Sequence, residues 1–215
     1  MLKWVESLTA SLLVRSGAVK VSLDKPFQLA SGNWSPLYVD CRVLISEPAV
    51  LDSITALMRL VLADAKFDVV AAGESAGIPY GAVLATKLGR PFIYVRKEKK
   101  AYGTGSRVEG NVAKGSTALL VEDLVTDGKS KLSFIEGLRE ADLTIRDCIV
   151  VLDREQGATS LLSAQKVQLK RLCTISACLH CAADEGAIIN ASIDHVRQYL
   201  ADPKSWHEKK GLPFK

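Results

Sequence analysis

No stretch of this 215-residue chain approaches the roughly 20 consecutive apolar residues that a membrane-spanning helix needs, so no membrane association is expected. The opening Met1-Leu2-Lys3-Trp4-Val5-Glu6 also lacks the basic-then-apolar order of a secretory signal, and retention in the cytoplasm is the expectation. Charge of one sign is not in excess. Lys and Arg number 28 against 24 Asp and Glu, and the net +4 suits anionic small molecules but is far too small to argue for nucleic acid. The chain has no internal repeat, no low-complexity tract and no Pro/Ser-rich linker, so residues 1–215 read as one domain. Apolar residues are plentiful: 48% of the chain, beside 24% charged, is the balance of a globular protein with a real core.

Cysteine is sparse and odd in number, five in all, and a chain of this length needs no disulfide staples. Cys41 and Cys148 lie in apolar-rich stretches and read as small buried hydrophobes. Cys173, Cys178, His180 and Cys181 put four potential zinc ligands within nine residues. Structural zinc sites usually draw on two separated ligand pairs, so buried thiols are the preferred reading and zinc the lesser one.

Hydrophobic spacing gives the organisation. Trp4, Val5, Leu8 and Leu12 recur at helical spacing, with Gly17 as a C-terminal cap. Residues 18–42 alternate short β-like pieces with turn signals, as in Ala18-Val19-Lys20-Val21 and Leu37-Tyr38-Val39-Asp40. A helix opens at Ser46-Glu47-Pro48 and carries Leu51, Ile54, Met58 and Val61 on one face. Short apolar runs then alternate with helices: strands at 68–73, 92–95, 117–121 and 147–152, helices at 77–88 and about 131–139. Strands that lack period-two alternation and are separated by helices imply an α/β fold with a parallel sheet covered on both faces. Ligands of such sheets bind beyond the carboxyl ends of the strands.

At one of those ends stands Leu119-Leu120-Val121-Glu122-Asp123-Leu124-Val125-Thr126-Asp127-Gly128-Lys129-Ser130. Two adjacent carboxylates there can accept hydrogen bonds from vicinal sugar hydroxyls. The loop that follows offers backbone N–H groups and hydroxyls at a helix N-terminus, a site for a phosphate dianion. The bland alternative is a solvated strand-to-helix turn, since Asp, Thr, Gly and Ser are common turn formers. A nucleotide-triphosphatase phosphate loop is excluded, because its first glycine falls on Asp123.

This stretch resembles the phosphoribosyl pyrophosphate signature of the type I phosphoribosyltransferases: apolar strand, two acids, two apolar residues, then Thr-x-Gly-x-Ser. Other stretches resemble the orotate-specific branch. They are Phe27-Gln28-Leu29-Ala30-Ser31-Gly32 with Ser35-Pro36 and Tyr38-Val39-Asp40 (an N-terminal hood), and Gly73-Glu74-Ser75-Ala76-Gly77-Ile78-Pro79 (a loop beside pyrophosphate). Tyr94-Val95-Arg96-Lys97-Glu98-Lys99-Lys100, followed by Gly103, Gly105 and Glu109-Gly110, resembles the mobile catalytic loop. Asp153-Arg154-Glu155-Gln156-Gly157 resembles the motif whose arginine meets the base. The resemblance runs from about residue 20 to 160 and leaves the last 50 residues undistinguished.

It implies a type I phosphoribosyltransferase-like sheet with a small hood over approximately 1–45 and a core over approximately 46–200. It also implies transfer of ribose 5-phosphate from phosphoribosyl pyrophosphate to orotate. Phosphoribosyl pyrophosphate would then meet Arg96, Lys97, Lys100, Tyr102, Glu122, Asp123, Leu124, Val125, Thr126, Asp127, Gly128, Lys129 and Ser130. Orotate would meet Thr126 and Arg154, while Lys100 and Asp123 would be catalytic. Magnesium is implied by the substrate's phosphates, with no dedicated all-protein metal site. A homodimer sharing loop 96–110 across its interface is implied too, with no nucleic-acid partner. Residues 96–110 carry Arg96, Lys97, Lys99, Lys100 and Arg107 among glycines, and read as a flexible cationic lid. Arg154 favours orotate over a purine, because a guanidinium fork matches a carboxylate.

The chain departs from the pattern at Tyr102, where many members carry His, and at Ala30 and Ala76, where some carry Lys. Two alternatives follow: transfer to another base, or a regulator that keeps the sugar-phosphate site and binds nucleic acid. The cationic loop, and the lack of a helix-turn-helix segment, argue against the regulator.

Overall fold

The computed structural model describes residues 2–29, 31–99 and 106–215, so the expectations placed on Ala30, Lys100 and Tyr102 lie outside the described residues. The chain opens with α1 (Lys3–Arg15) and four short strands, β1 (Val19–Val21), β2 (Phe27–Gln28), β3 (Trp34–Ser35) and β4 (Leu37–Val39). A 3-10 turn, Cys41–Ser46, leads into α2 (Pro48–Val61), with proline in its first turn as the sequence predicts. Then come β5 (Val69–Gly73), α3 (Gly77–Leu88), β6 (Phe92–Val95), β7 (Val108–Glu109), β8 (Thr117–Val125), α4 (Lys129–Glu140) and β9 (Thr144–Asp153). The last stretch, unread from the sequence, is α5 (Ala158–Ala164), β10 (Gln168–Thr174), α6 (Ile175–Asp184), α7 (Asn190–Ala201) and α8 (Pro203–Lys210).

Six strands form the main sheet in the order β10-β9-β8-β5-β6-β7, parallel except for the edge strand β7. Alternate residues of the central strands feed two cores. Val70, Leu119, Val121, Ile149 and Val151 face α2, α3 and α6. Ala71, Leu120, Cys148 and Val150 face α4 and α5. Burial on both faces is why these strands show no polar alternation in sequence. The small strands pair antiparallel as β1 with β4 and β2 with β3, outside the main sheet.

Three expectations change. The stripe read on α1 included Trp4 and Leu8, but these are 52% and 45% exposed, whereas Val5, Thr9, Ala10 and Leu13 are buried. Helix α1 packs on α6 and β10 through this smaller-residue face. Thr9 can be buried there because its hydroxyl donates to the Val5 carbonyl at 2.7 Å. The strand expected to stop at residue 121 runs on through the two acids to Val125, since β9 continues beside it and pairs Glu122 with Val150 and Leu124 with Leu152. Segment 96–110 is not a lid to its end. Arg107 is buried, its guanidinium donating to the Arg96 carbonyl and to Ser133 Oγ, and β7 follows directly against β6.

Candidate active site

Strand β5 has its sequence successor β6 on one side and β8 on the other, so chain order reverses between β5 and β8. A crevice is expected beyond the carboxyl ends of two such strands. A hollow of about 290 Å³ lies there. Its floor is Glu122, Asp123 and Leu124 of β8, with Ser130, Lys131 and Phe134 of α4. The loop Glu74-Ser75-Ala76 after β5 forms one wall, Val39, Asp40 and Arg42 form another, and Lys97 enters after β6. The peptide bond between Glu74 and Ser75 is cis.

Local chemistry fixes these positions. Gly128 has φ +88°, a left-handed conformation that glycine adopts without a side-chain clash, and it turns the chain from β8 into α4. Asp127 accepts from the Lys129 N–H at 3.1 Å, and this bond holds its carboxyl below the usual range. The Tyr80 hydroxyl, buried in α3, donates to the Cys41 carbonyl at 2.6 Å. That bond ties the 3-10 turn, and with it Arg42, to α3. Arg42 clasps Asp40 through Nε and Nη2 at 2.6 and 2.9 Å, which lowers the Asp40 pKa. The Lys97 backbone N–H donates to Glu74 Oε2 at 3.2 Å and joins the cationic segment to the β5 loop.

Burial dominates the electrostatics of the floor. Glu122 is pushed up to about 7 by loss of solvent, opposed by Lys131, whose ammonium donates to Glu122 Oε2. Asp123 is raised for the same reason, although its Oδ1 accepts the Leu124 N–H at 2.7 Å. Arg154 follows β9, and its N–H donates to the Val125 carbonyl at 2.9 Å, which sets it beside the end of β8. Desolvation lowers the Arg154 pKa, and its Nε is buried with no protein partner.

The sequence-predicted residues thus separate into groups. Lys97, Glu122, Asp123, Leu124 and Ser130 line the hollow. Thr126, Asp127 and Gly128 form the turn between Val125 and α4, which Lys129 opens; these four residues and Arg154 do not line the hollow. The Val125 side chain packs in the core, so its backbone carbonyl is what it offers. Arg96 does not line the hollow; its guanidinium stands 4.0 Å from Glu74. Arg42 and Lys131 were missed. Arg42 left only the hint that it follows the hood-like Tyr38-Val39-Asp40 by two residues. Lys131 carried a better signal, a lysine at helical spacing with Phe134, Ile135 and Leu138, on what is otherwise an apolar face.

The phosphoribosyl transferase domain model matches residues 44–172. The orotate phosphoribosyltransferase of Ruegeria sp. (strain TM1040) is 41% identical over 210 residues, spanning 95% of this chain and 93% of its own. The orotate phosphoribosyltransferase of Aeropyrum pernix superposes with a TM-score of 0.71 at 33% identity, over 83% of this chain and 98% of that one. The UMP synthase of Leishmania donovani gives 0.79 at 28% identity, over 91% of this chain and 42% of that longer one. With the switch-point hollow and the acidic strand end that it shares with the signature, this chain belongs to the phosphoribosyl transferase domain family and, within it, to the orotate phosphoribosyltransferases, pentosyltransferase enzymes of pyrimidine biosynthesis.

Proposed function

We propose that the hollow between β5 and β8 binds phosphoribosyl pyrophosphate, and that the ribose 5-phosphate unit is passed there to orotate. The observation that carries this reading is the order of groups around one crevice. Carboxylates lie near the strand end, a helix N-terminus follows one turn later, cations flank the opening, and the Arg154 backbone is bonded to the last residue of the same strand. Asp123, with Glu122, accepts hydrogen bonds from the ribose hydroxyls. The turn from Thr126 to Ser130 receives the 5-phosphate. Lys97 and Arg42 face the pyrophosphate, and Lys100 and Tyr102 join them from the segment outside the described residues. Thr126 and Arg154 receive orotate, whose carboxylate satisfies the buried Arg154 Nε.

A ring nitrogen of orotate attacks the anomeric carbon and passes its proton to the departing pyrophosphate as the C–N bond forms. The C–O bond to pyrophosphate breaks, and pyrophosphate leaves with the bonding pair. The sugar passes through a positively charged state, which the fixed carboxylates below it favour. Closure of segment 96–106 over the site excludes water that would otherwise capture the sugar. Magnesium fits as an ion carried on the substrate's phosphates. Two of the pocket carboxylates are already taken, Asp40 by Arg42 and Glu122 by Lys131, and magnesium prefers phosphate oxygens and water to a protein cage. When bound it neutralises the leaving group.

We further propose a homodimer that shares segment 96–110, and a cytoplasmic setting. Five free cysteines suit a reducing compartment, and among the described residues no helix is long and apolar enough to cross a membrane. Light scattering at a single-chain mass from a fully active sample would remove the dimer.

The deciding assay follows absorbance of orotate with phosphoribosyl pyrophosphate and magnesium, with adenine, guanine, hypoxanthine and uracil in parallel. Consumption of orotate alone is expected. Turnover of a purine instead would keep the sugar-phosphate site and overturn the role given to Arg154.

A further inference from the structure

The hollow is lined by four acids, Asp40, Glu74, Glu122 and Asp123, and three bases, Arg42, Lys97 and Lys131. A multiply anionic sugar phosphate must settle among these carboxylates. Two of the bases are at the surface: Arg42 is committed to Asp40, and Lys97 lies on the exposed segment after β6. Lys131 differs from both. It is 4% exposed, held in the first turn of α4 among Phe134, Ile135 and Leu138, and its ammonium reaches Glu122 Oε2 with Ser130 Oγ at 3.5 Å.

Glu122 has little freedom of its own. A methyl group at Gly73 would come within 2.5 Å of its Oε1 and within 2.5 Å of Phe134, and one at Gly77 within 2.5 Å of the same oxygen. Two side-chain-free positions and an aromatic ring therefore cradle the carboxylate. Oε1 is buried and has no hydrogen-bond partner in the protein, while Oε2 has Lys131. A buried carboxylate with one oxygen unpartnered is costly to keep charged unless a cation lies against it.

We propose that Lys131 is a positioning residue: it holds Glu122 charged and turned into the glycine cradle beside Asp123, and it supplies the buried positive charge against which the sugar phosphate binds. This rests on the reading of the hollow as the phosphoribosyl pyrophosphate site. The other ionisable groups around Glu122 are Asp123 on its own strand, Cys148 on β9, Lys97 after β6, Glu74 after β5, and Asp40 and Arg42 of the 3-10 turn. Of these, Lys97 favours the charged form and Asp123 opposes it, while Lys131 is the largest favourable influence. Removing Lys131 thus leaves desolvation opposed mainly by the more distant Lys97 and moves the protonation of Glu122 to higher pH.

The test is the pH profile of kcat/KM for phosphoribosyl pyrophosphate in the wild type, Lys131→Met, Lys131→Arg and the double variant Glu122→Gln/Lys131→Met. It is run beside melting temperatures and calorimetric affinity for magnesium-phosphoribosyl pyrophosphate. The wild type should lose activity on the acid side of about pH 7. In Lys131→Met that limb should move up by at least about one pH unit, with affinity about tenfold weaker, and Lys131→Arg should restore much of both. If Lys131→Met does not fold, the double variant removes both charges together. It should fold, lack the acid limb and bind the substrate weakly.

A folded Lys131→Met with the wild-type limb and affinity would overturn the proposal. So would a uniform loss across pH that merely tracks melting temperature, a wild-type profile flat from about pH 6 to 8, or a double variant with unchanged affinity. Failure of the underlying reading looks different. The wild type would then turn over no orotate, and calorimetry would separate the two cases, because weaker substrate binding by Lys131→Met would leave the present inference standing.

Discussion

The floor and the roof of the crevice are secured by different sets of contacts. The floor is continuous with the core: Glu122 and Asp123 belong to a strand hydrogen-bonded on the β9 side, and Lys131 and Phe134 come from the helix packed beneath it. The roof, residues 18–46, has two small antiparallel pairs, a set of core side chains including Leu37, Cys41 and Leu44, and bonds from the far end of the chain. His207, fully buried, accepts the Trp34 N–H through Nε2 at 3.0 Å and bonds the Pro203 carbonyl through Nδ1 at 2.6 Å. Asn33 and Lys215 exchange two hydrogen bonds, at 2.8 and 3.3 Å, and Lys210 reaches the Leu23 carbonyl at 3.2 Å. The floor is thus secured by apolar burial and ladder pairing, whereas the roof, whose Leu37, Cys41 and Leu44 reach the same core, also depends on polar contacts with the end of the chain. A rigid floor suits charge placement, while a separately tethered roof suits entry of a base.

The comparison breaks first, and most strongly, at Asp123. Asp123→Asn should cut kcat/KM by about 10²–10³ with the melting temperature nearly unchanged, since on the proposed role a carboxylate facing the reacting sugar is lost without a change of volume. Near-normal turnover would remove it from the floor's chemistry. Gly77→Ala should be felt next, in fold as well as activity. The added carbon would lie 2.6 Å from the Val121 carbonyl oxygen, which is backbone and cannot step aside, and overpacking of this kind costs about 1–3 kcal/mol. Chemical denaturation that matched the wild type would show the β5–β8 junction to be softer than its packing implies.

His207→Ala should cost about 1–3 kcal/mol by orphaning the Trp34 N–H. Its mark should be selective, with hydrogen exchange accelerated over residues 27–35 and the orotate KM raised, while amides of β8 keep their protection. Equal loosening of both regions would erase the distinction between them. The smallest effect should come from Lys129→Ala. Its side chain is 83% exposed and its ion pair with Asp127 is a surface one, so stability should change by less than about 0.5 kcal/mol. A large fall in phosphoribosyl pyrophosphate affinity would instead assign that ammonium to the phosphate.

Much of the floor was legible beforehand. Apolar runs of the right length marked β5, β6, β8 and β9, and the pattern of acids, glycine and hydroxyls marked the turn into α4. The reading stopped where partners come from elsewhere in the chain. Residues 117–125 could not announce themselves as one strand, because only β9 running alongside keeps Glu122 and Asp123 in the ladder. Arg107 looked like one more loop cation until the Arg96 carbonyl and Ser133 were seen to hold it. Trp206 packs edge-on against Tyr199 and His207, as its apolar surface suggests, but nothing local tells that this cluster pins the hood.

The sequence by itself determined the layered α/β plan, the helices α2 and α3, the sugar-phosphate signature and its family, because periodicity and motif spacing are properties of neighbouring residues. Only the tertiary structure decided which strands flank β5, that Arg42 and Lys131 enter the hollow, that Glu122 faces a glycine cradle, and that the last residues fasten the roof. Those outcomes depend on contacts between segments up to 187 residues apart, and a pattern read along the chain carries no record of which distant group will fill a given space.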